Sequence, residues 1–467
     1  MMAVRFVLLL LVLQFGAHCT VSTNPCGPAD SACNPFATYL ISASLPATEA
    51  GLNRSRVLPG STVVLRASAG REPYSYSILL GGGNISSRGV FRAPPVIGTT
   101  SILAVDAGGR HFVGEVSTAH GAGSGTFTAV GTVSVCTQVG TIVAADFNQD
   151  GNVDVASICN VGTLRIRVSP GNGDGTFATG IDFTLSAVGN SLDVGDFNND
   201  GVLDLAYQEN NTHGIALGNG DGSFTGSWTS GVAGTPRTLV ARDFNGDGND
   251  DFAYGEGNNT EIYLGQGDGT AVKLSEVVYA AGDNQSLIAA DFNGDRVQDL
   301  AIVDRAGNPS PRVFRGDGDG TFTFSAGLNE VGGSSQEVTA CDINADGNGD
   351  LVVVDIGAGN LYSYLGAGDG TFTQVGSVNP AASGQSVVCQ DYNSDGFMDT
   401  VSAHAGAGSF YVTLAAGDGN FQTPAIIGTA TISGGDTSVA ADFNNDGITD
   451  VAMPDSAGAT FEVLLGN

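Results

Sequence analysis

The chain has 467 residues, 70 of them Gly and 15 Pro, and its 48 Asp and Glu against 17 Lys and Arg give a formal net charge of −31. Glycine without a G-X-Y period excludes collagen, and 42% hydrophobic residues is too rich for a disordered acidic polymer. So much negative charge argues against nucleic acid and anionic membrane surfaces, and the single lysine, Lys273, leaves almost no material for lysine-dependent phosphate or Schiff-base chemistry.

Residues 1–19 read as an export signal, with Arg5 as the positive end, an apolar run from Phe6 to Leu13 and a small-x-small pattern at Ala17-His18-Cys19. The mature chain is expected to begin near Thr20, secreted or at the cell surface. His18 stands where a lipobox takes a small residue, which disfavours a lipid anchor on Cys19. No later apolar run approaches the ~18 residues that span a bilayer, so no membrane span is expected. Six cysteines then remain for an oxidising compartment. Cys26 and Cys33 would staple a small loop in a linker over 20–35, and Cys136 and Cys159 flank one repeat loop and can bridge neighbouring strands. Cys341 and Cys389 fall where other repeats mostly carry Ala, Gly or Val, and read as small buried core residues rather than a disulfide.

Residues 36–117 have short alternating runs at Tyr39 to Ser44, Thr62 to Ala67, Tyr74 to Leu79, Ser101 to Val105 and Phe112 to Val116, the pattern of a small β-sandwich. With Gly89-Val90-Phe91-Arg92-Ala93-Pro94 the segment resembles bacterial Ig-like spacer domains, which implies a role in projecting or orienting the C-terminal region.

From residue 118 onward one phrase recurs seven times: DFNQDGNVD from Asp146, DFNNDGVLD from Asp196, DFNGDGNDD from Asp243, DFNGDRVQD from Asp291, DINADGNGD from Asp342, DYNSDGFMD from Asp391 and DFNNDGITD from Asp442. The spacings are 47 to 51 residues, and a second phrase of the form GNGDGTF alternates with the first. Each unit holds four short apolar or β-branched runs, as in Val387 to Cys389, Leu351 to Val354, Leu361 to Leu365 and Thr371 to Val375. Such runs, punctuated by Asp-Gly and Gly-Gly, are strands joined by hairpins. The fold class is therefore all-β, a seven-bladed β-propeller over 118–467 preceded by the small sandwich. The last unit stops at Gly466-Asn467, where a turn and outer strand should come next, and that missing piece stands at the front as Gly121 to Phe127. The N-terminal strand is thus expected to complete the last blade and close the ring.

In D-x-[DN]-x-D-G-x-x-D, positions one, three, five and nine carry side-chain oxygens, and the backbone carbonyl at seven can join them around a hard cation. The ligand sets would be Asp146, Asn148, Asp150, Asn152 and Asp154; Asp196, Asn198, Asp200, Val202 and Asp204; Asp243, Asn245, Asp247, Asn249 and Asp251; and Asp291, Asn293, Asp295, Val297 and Asp299. The other three are Asp342, Asn344, Asp346, Asn348 and Asp350; Asp391, Asn393, Asp395, Phe397 and Asp399; and Asp442, Asn444, Asp446, Ile448 and Asp450. Up to seven Ca²⁺ are expected. Position twelve is never Glu, so these are not EF-hands. Arg296 replaces the position-six glycine of the fourth loop, which should make that site the weakest.

The alternation of these two phrases resembles the FG-GAP/VCBS repeats of integrin-α-type propellers, shared by fungal lectins and by accessory modules of polysaccharide-degrading enzymes. The resemblance implies calcium in blade-edge loops and extracellular binding of a glycan or protein ligand, with an accessory or catalytic lyase-type propeller as the alternative. Strand order puts the metal loops and GDG turns on one face and the variable hairpins and connectors on the other, where Tyr207, His213, Trp228, Arg237, Arg305, Arg312 and His404 are the candidate ligand contacts. No HExxH, GxSxG, P-loop or Cys/His pairing occurs, so an enzyme is not expected. A monomer is. Sequons stand at Asn53, Asn84, Asn210, Asn258 and Asn284.

Overall fold

The computed structural model describes residues 52, 56–67, 70, 72–119, 123–136, 139–231, 237–279, 284–304, 310–328, 335–429, 437–455 and 460–467. The leader, Cys26, Cys33, the run at Tyr39, Asn53 and Arg305 lie outside them. Seven four-stranded antiparallel sheets follow one another along the chain. The first comprises Val139–Ala145, Asp154–Cys159, Arg165–Ser169 and Ile181–Thr184. Five more repeat that order over 189–231, 238–278, 284–327, 335–378 and 384–429. The first strand of each sheet packs against the first strand of the next, and that of the seventh against that of the first, which makes the sheets blades of a closed ring with first strands innermost.

The seventh blade confirms the expected closure. Val439–Ala441, Asp450–Asp455 and Thr460–Gly466 are followed in space by Phe127–Ser134, with Thr460 opposite Ser134 and Gly466 opposite Phe127. Residues 124–126 supply the missing turn. Ser124 N–H donates to the Asn467 carbonyl at 2.5 Å, and Asn467 N–H to that of Thr126 at 3.0 Å.

Seven apolar clusters fill the seven gaps between blades, from Ile158, Leu192 and Leu205 between blades one and two to Ile142, Phe443 and Phe461 between seven and one. The aromatic of the Asp-rich loop meets the aromatic of the next blade's GDG turn across five of these gaps, edge to face: Phe147 on Phe224, Phe244 on Phe322, Phe292 on Phe372, Tyr392 on Phe127 and Phe443 on Phe177. The axis is stitched as well. A side chain on or just before an inner strand accepts an N–H of the following blade in Asp193 to Ala241, Glu337 to Val387, Ser386 to Ser438 and Thr437 to Ile142. These bonds satisfy backbone donors that an inner sheet edge would otherwise leave open.

Before the ring, two sheets face each other around Leu65, Tyr76, Phe91, Ile102 and Val116. One orders Arg56–Val57, His111–Thr118, Gly98–Val105 and Ser75–Leu80, the other Thr62–Val64, Val90–Arg92 and Asn84–Ile85.

Cys136 and Cys159 form a disulfide that joins the end of the closing strand to blade one. Cys341 and Cys389 are also disulfide-bonded, which corrects the reading of them as unpaired core residues. They are buried, at 1% and 8% exposure, but they lie on inner strands of adjacent blades, and the close approach of those strands near the axis brings their Cα atoms to 6.2 Å. The two bonds suit an oxidising, extracellular environment. Replacing Cys341 and Cys389 together by Ala is expected to lower stability by about 4 kcal/mol, since the bond closes a loop of 48 residues; calorimetry of the double variant checks this, and an unchanged melting temperature would contradict it.

Candidate functional site

The seven loops sit between the first and second strands of the blades, and each is organised around its position-nine aspartate at the start of the second strand. Asp154 Oδ2 accepts the N–H of Phe147 at 2.9 Å, and Oδ1 accepts that of Gly171, which opens the GDG turn, at 2.8 Å. Asp204, Asp251, Asp299, Asp350, Asp399 and Asp450 repeat both bonds, so one carboxylate ties two turns of the blade together in all seven copies.

The position-one aspartate accepts N–H groups from inside the loop. Asp146 takes those of Asp150 at 3.1 Å and Gly151 at 3.0 Å. Asn148 donates Nδ2 to Asp150 Oδ2 and accepts the Asp150 N–H, both at 2.9 Å. Position four takes positive φ, from 57° at Asn199 to 77° at Gly294, and so does position six. In the fourth loop that residue is Arg296, at φ 72°, and its N–H still donates to Asp291 Oδ2 at 2.8 Å. The loop therefore keeps its shape at the expense of a left-handed arginine, which costs about 1 kcal/mol.

Burial and crowding set the electrostatics. Desolvation pushes the position-nine carboxyls up, to about 6 at Asp154 and Asp299, about 7 at Asp350 and Asp450, and about 8 at Asp204, Asp251 and Asp399. The amide donors pull the other way, and the loop's own carboxylates, such as Asp146 and Asp150 beside Asp154, raise them further. Asp196 is pushed to about 7 by burial and by Asp250. No three or more acidic, His or Cys side chains converge as a closed metal centre among the described residues. The donor set nevertheless fits calcium in kind: three hard carboxylates, an amide oxygen and a carbonyl per loop, with buried negative charge that a dication would relieve.

The repeat units match the FG-GAP-like repeat model over residues 146–207, 243–302, 291–353, 342–402 and 391–453, more than half of the chain. The chain belongs to the FG-GAP-like repeat family. A comparison with curated proteins finds no match. Among solved structures, the FG-GAP chain is similar to BBS1N, in its complex with ARL6DN soaked with lead, at 9% identity and a TM-score of 0.52, over 74% of this chain and 98% of that one. An Agrocybe aegerita lectin recognising non-reducing terminal N-acetylglucosamine aligns at 20% identity and a TM-score of 0.46, over 64% of this chain and 83% of that one.

The other candidate residues scatter. Tyr207 is 5% exposed and packs on Phe183. His213 is fully buried among Trp228, Phe252, Tyr254 and Tyr263, at ring distances of 4.4 to 5.4 Å, and burial lowers its pKa to about 4. His404, also fully buried, meets Ser402 Oγ and the Ala381 carbonyl. Arg312 is 5% exposed and paired with Asp304. The sequence reading makes these four surface contacts, and the correction has one cause. They stand on strands or strand ends whose side chains point into the gap between blades, where large side chains pack. Trp228 is half-buried and Arg237 exposed, so these two reach solvent. Sequence reasoning missed Asp250 at position eight of the third loop, an extra acid in the phrase itself.

Replacing Arg296 by Gly is expected to stabilise the ring by about 1 kcal/mol and to raise calcium affinity at the fourth loop; isothermal titration and denaturant melts check both. The buried carboxyls generate a second expected outcome. A carboxyl raised on folding holds its proton more readily in the folded chain, so its contribution to stability is fully present below the ordinary carboxyl range and is lost as pH rises through 6 to 8. In EDTA the melting temperature should fall between pH 6.5 and 8.5, a window in which the buried histidines no longer titrate. Saturating calcium should raise it and abolish the slope. Equal slopes with and without calcium would count against the metal reading.

Proposed function

We propose that this FG-GAP propeller is a secreted, calcium-loaded binding module that engages an extracellular glycan or protein ligand through its variable face, as a monomer. The observation that carries the reading is the contrast between the two faces of the ring. On one, seven copies of a single hydrogen-bonded loop repeat with the same donors, which is the pattern of a scaffold. On the other, hairpins of unlike sequence, such as Glu209-Asn210-Asn211-Thr212, Glu256-Gly257-Asn258-Asn259 and His404-Ala405-Gly406, stand on that uniform support. Asn210 and Asn258 are exposed at two of these tips, and Arg237 and Trp228 add a cation and an indole.

Binding rather than catalysis is favoured by where the acid–base groups lie. His213 and His404 are buried and held neutral, and the described histidine that faces solvent, His111, belongs to the N-terminal sheets. Calcium would be held by the loop aspartates and asparagines and would supply charge neutralisation that fixes the blade edges. A glycan and protein array with the secreted chain, run with and without EDTA and followed by product analysis, tests the proposal. Saturable, calcium-dependent retention without product is the expected result; product formation would turn the reading toward a lyase, and absence of retention would reduce the ring to a structural role.

A further inference from the structure

The seven loops are alike in sequence, but those of blades one to three carry a load. Arg66 Nη2 donates to Gln149 Oε1 at 2.9 Å, at position four of the first loop. Ser87 Oγ donates to Asn199 Oδ1 at 3.1 Å and Arg88 Nε to the Asn199 carbonyl at 2.8 Å, at position four of the second. Ser87 N–H donates to the Gly248 carbonyl at 3.1 Å, at position six of the third. Val90, fully buried, joins the apolar cluster between blades one and two, with Val64 packed against it.

The centre of this contact is a buried ion pair. Arg92, 3% exposed, pairs with Asp250, fully buried, at 2.7 Å, and its other amino group reaches the Val194 carbonyl. Asp250 occupies position eight of the third loop, where the other six carry Val153, Leu203, Gln298, Gly349, Met398 and Thr449. Its second oxygen accepts the N–H of Asp196, the first residue of the second loop, at 2.7 Å. One carboxylate thus joins the N-terminal sheets to two adjacent metal loops. Nearer the axis, Gln390 Nε2 donates to the Pro59 carbonyl at 2.6 Å, and residues 56–64 with the inner strands line a cavity of about 650 Å³.

We propose that the metal-loop face of blades one to three is an interaction surface for this chain's own N-terminal sheets, and that cation loading of the second and third loops holds those sheets down as a cap over the axial channel. The inference rests on the calcium reading above. The contacts fall at positions four, six and eight, between the ligand positions, so the loop conformation that gathers the ligands is the one that presents Asn199, Gly248 and Asp250 to the sheets. A loop whose carboxylates repel one another without a cation loses that presentation. Because Arg92 and Asp250 are buried, partial release would strand one charge without its partner, and docking is therefore close to all-or-none. The pair is neutral as a unit and does not compete with a cation. Linkage makes the effect reciprocal: docking also tightens cation binding in the same two loops.

The test uses the full chain and measures bound calcium by elemental analysis and docking by hydrogen exchange of the segment Ser86–Arg92, with exchange at Val352 as a check on the ring. Chelation of the native chain is expected to speed exchange at Ser86–Arg92 at least tenfold. Asp200→Asn, in the second loop, should do the same while the other loops stay loaded, and Asp346→Asn, the equivalent residue of the fifth loop, should not. Arg92→Gln with Asp250→Asn should free the sheets with calcium still bound in the distant loops. If calcium leaves but Ser86–Arg92 stays protected, or if Asp200→Asn and Asp346→Asn behave alike, the cap mechanism is wrong and the calcium reading stands. A chain that binds no calcium overturns both.

Discussion

Every blade hangs on one buried carboxylate. The position-nine aspartate accepts an amide N–H from the Asp-rich loop with one oxygen and one from the GDG turn with the other, and so fixes the distance between the two turns. Burying a charged group is costly unless its hydrogen bonds are made, and here two are made in every copy. What remains is the repulsion from the position-one and position-five carboxylates. The acidity of the chain is concentrated at this point: the aspartates at positions one, five and nine and in the GDG turns account for 27 of its 48 acidic residues. Seven bound Ca²⁺ would move the formal charge from −31 to about −17.

The same aspartates dictate how blades meet. By pinning the start of the second strand to the loop, they aim the position-two aromatic into the gap toward the next blade's turn, where Phe147 and Phe224 or Phe292 and Phe372 make their edge contacts. The carbonyl of that aromatic residue accepts the turn's glycine N–H in the neighbouring blade, as in Gly269 to Phe197 and Gly125 to Tyr392. Rim, gap and axis are each tied by a repeated bond, so the ring resists opening at any single interface. The Cys341–Cys389 and Cys136–Cys159 bonds reinforce two regions of that circumference.

Blade number, strand order and the position of the Asp-rich loops were legible in the sequence because each is written seven times and repetition turns a weak local signal into a strong one, and the closing strand was legible because its turn is missing from the last repeat and present before the first. Cys136–Cys159 was legible for a related reason, since both residues flank one loop. Cys341–Cys389 was not: sequence position cannot tell that inner strands of successive blades converge at the axis while outer strands diverge. His213 and His404 failed in the opposite direction. Chain order places them at hairpin ends, near variable loops, but a side chain at a strand end points into the gap or out of it according to a register that the repeat phrase does not encode. The docking of the N-terminal sheets was equally invisible. Its signature is a single extra acid, Asp250, inside a phrase already full of aspartates, and its partner Arg92 is 158 residues away.

The borrowed strand of blade seven has a consequence for biosynthesis. Thr128 and Asn467, hydrogen-bonded at 3.0 Å, are 339 residues apart. As the chain emerges, blades one to six can each form from consecutive sequence, whereas Phe127–Ser134 must wait with its backbone donors unpaired until Thr460–Gly466 has been made. Throughout that interval it is a free strand edge beside six partly assembled sheets, open to pairing with a neighbouring nascent chain. Ring closure thus waits until all six preceding blades have been made, and the quality of the whole assembly is decided by whether one early segment is still available when its late partner arrives.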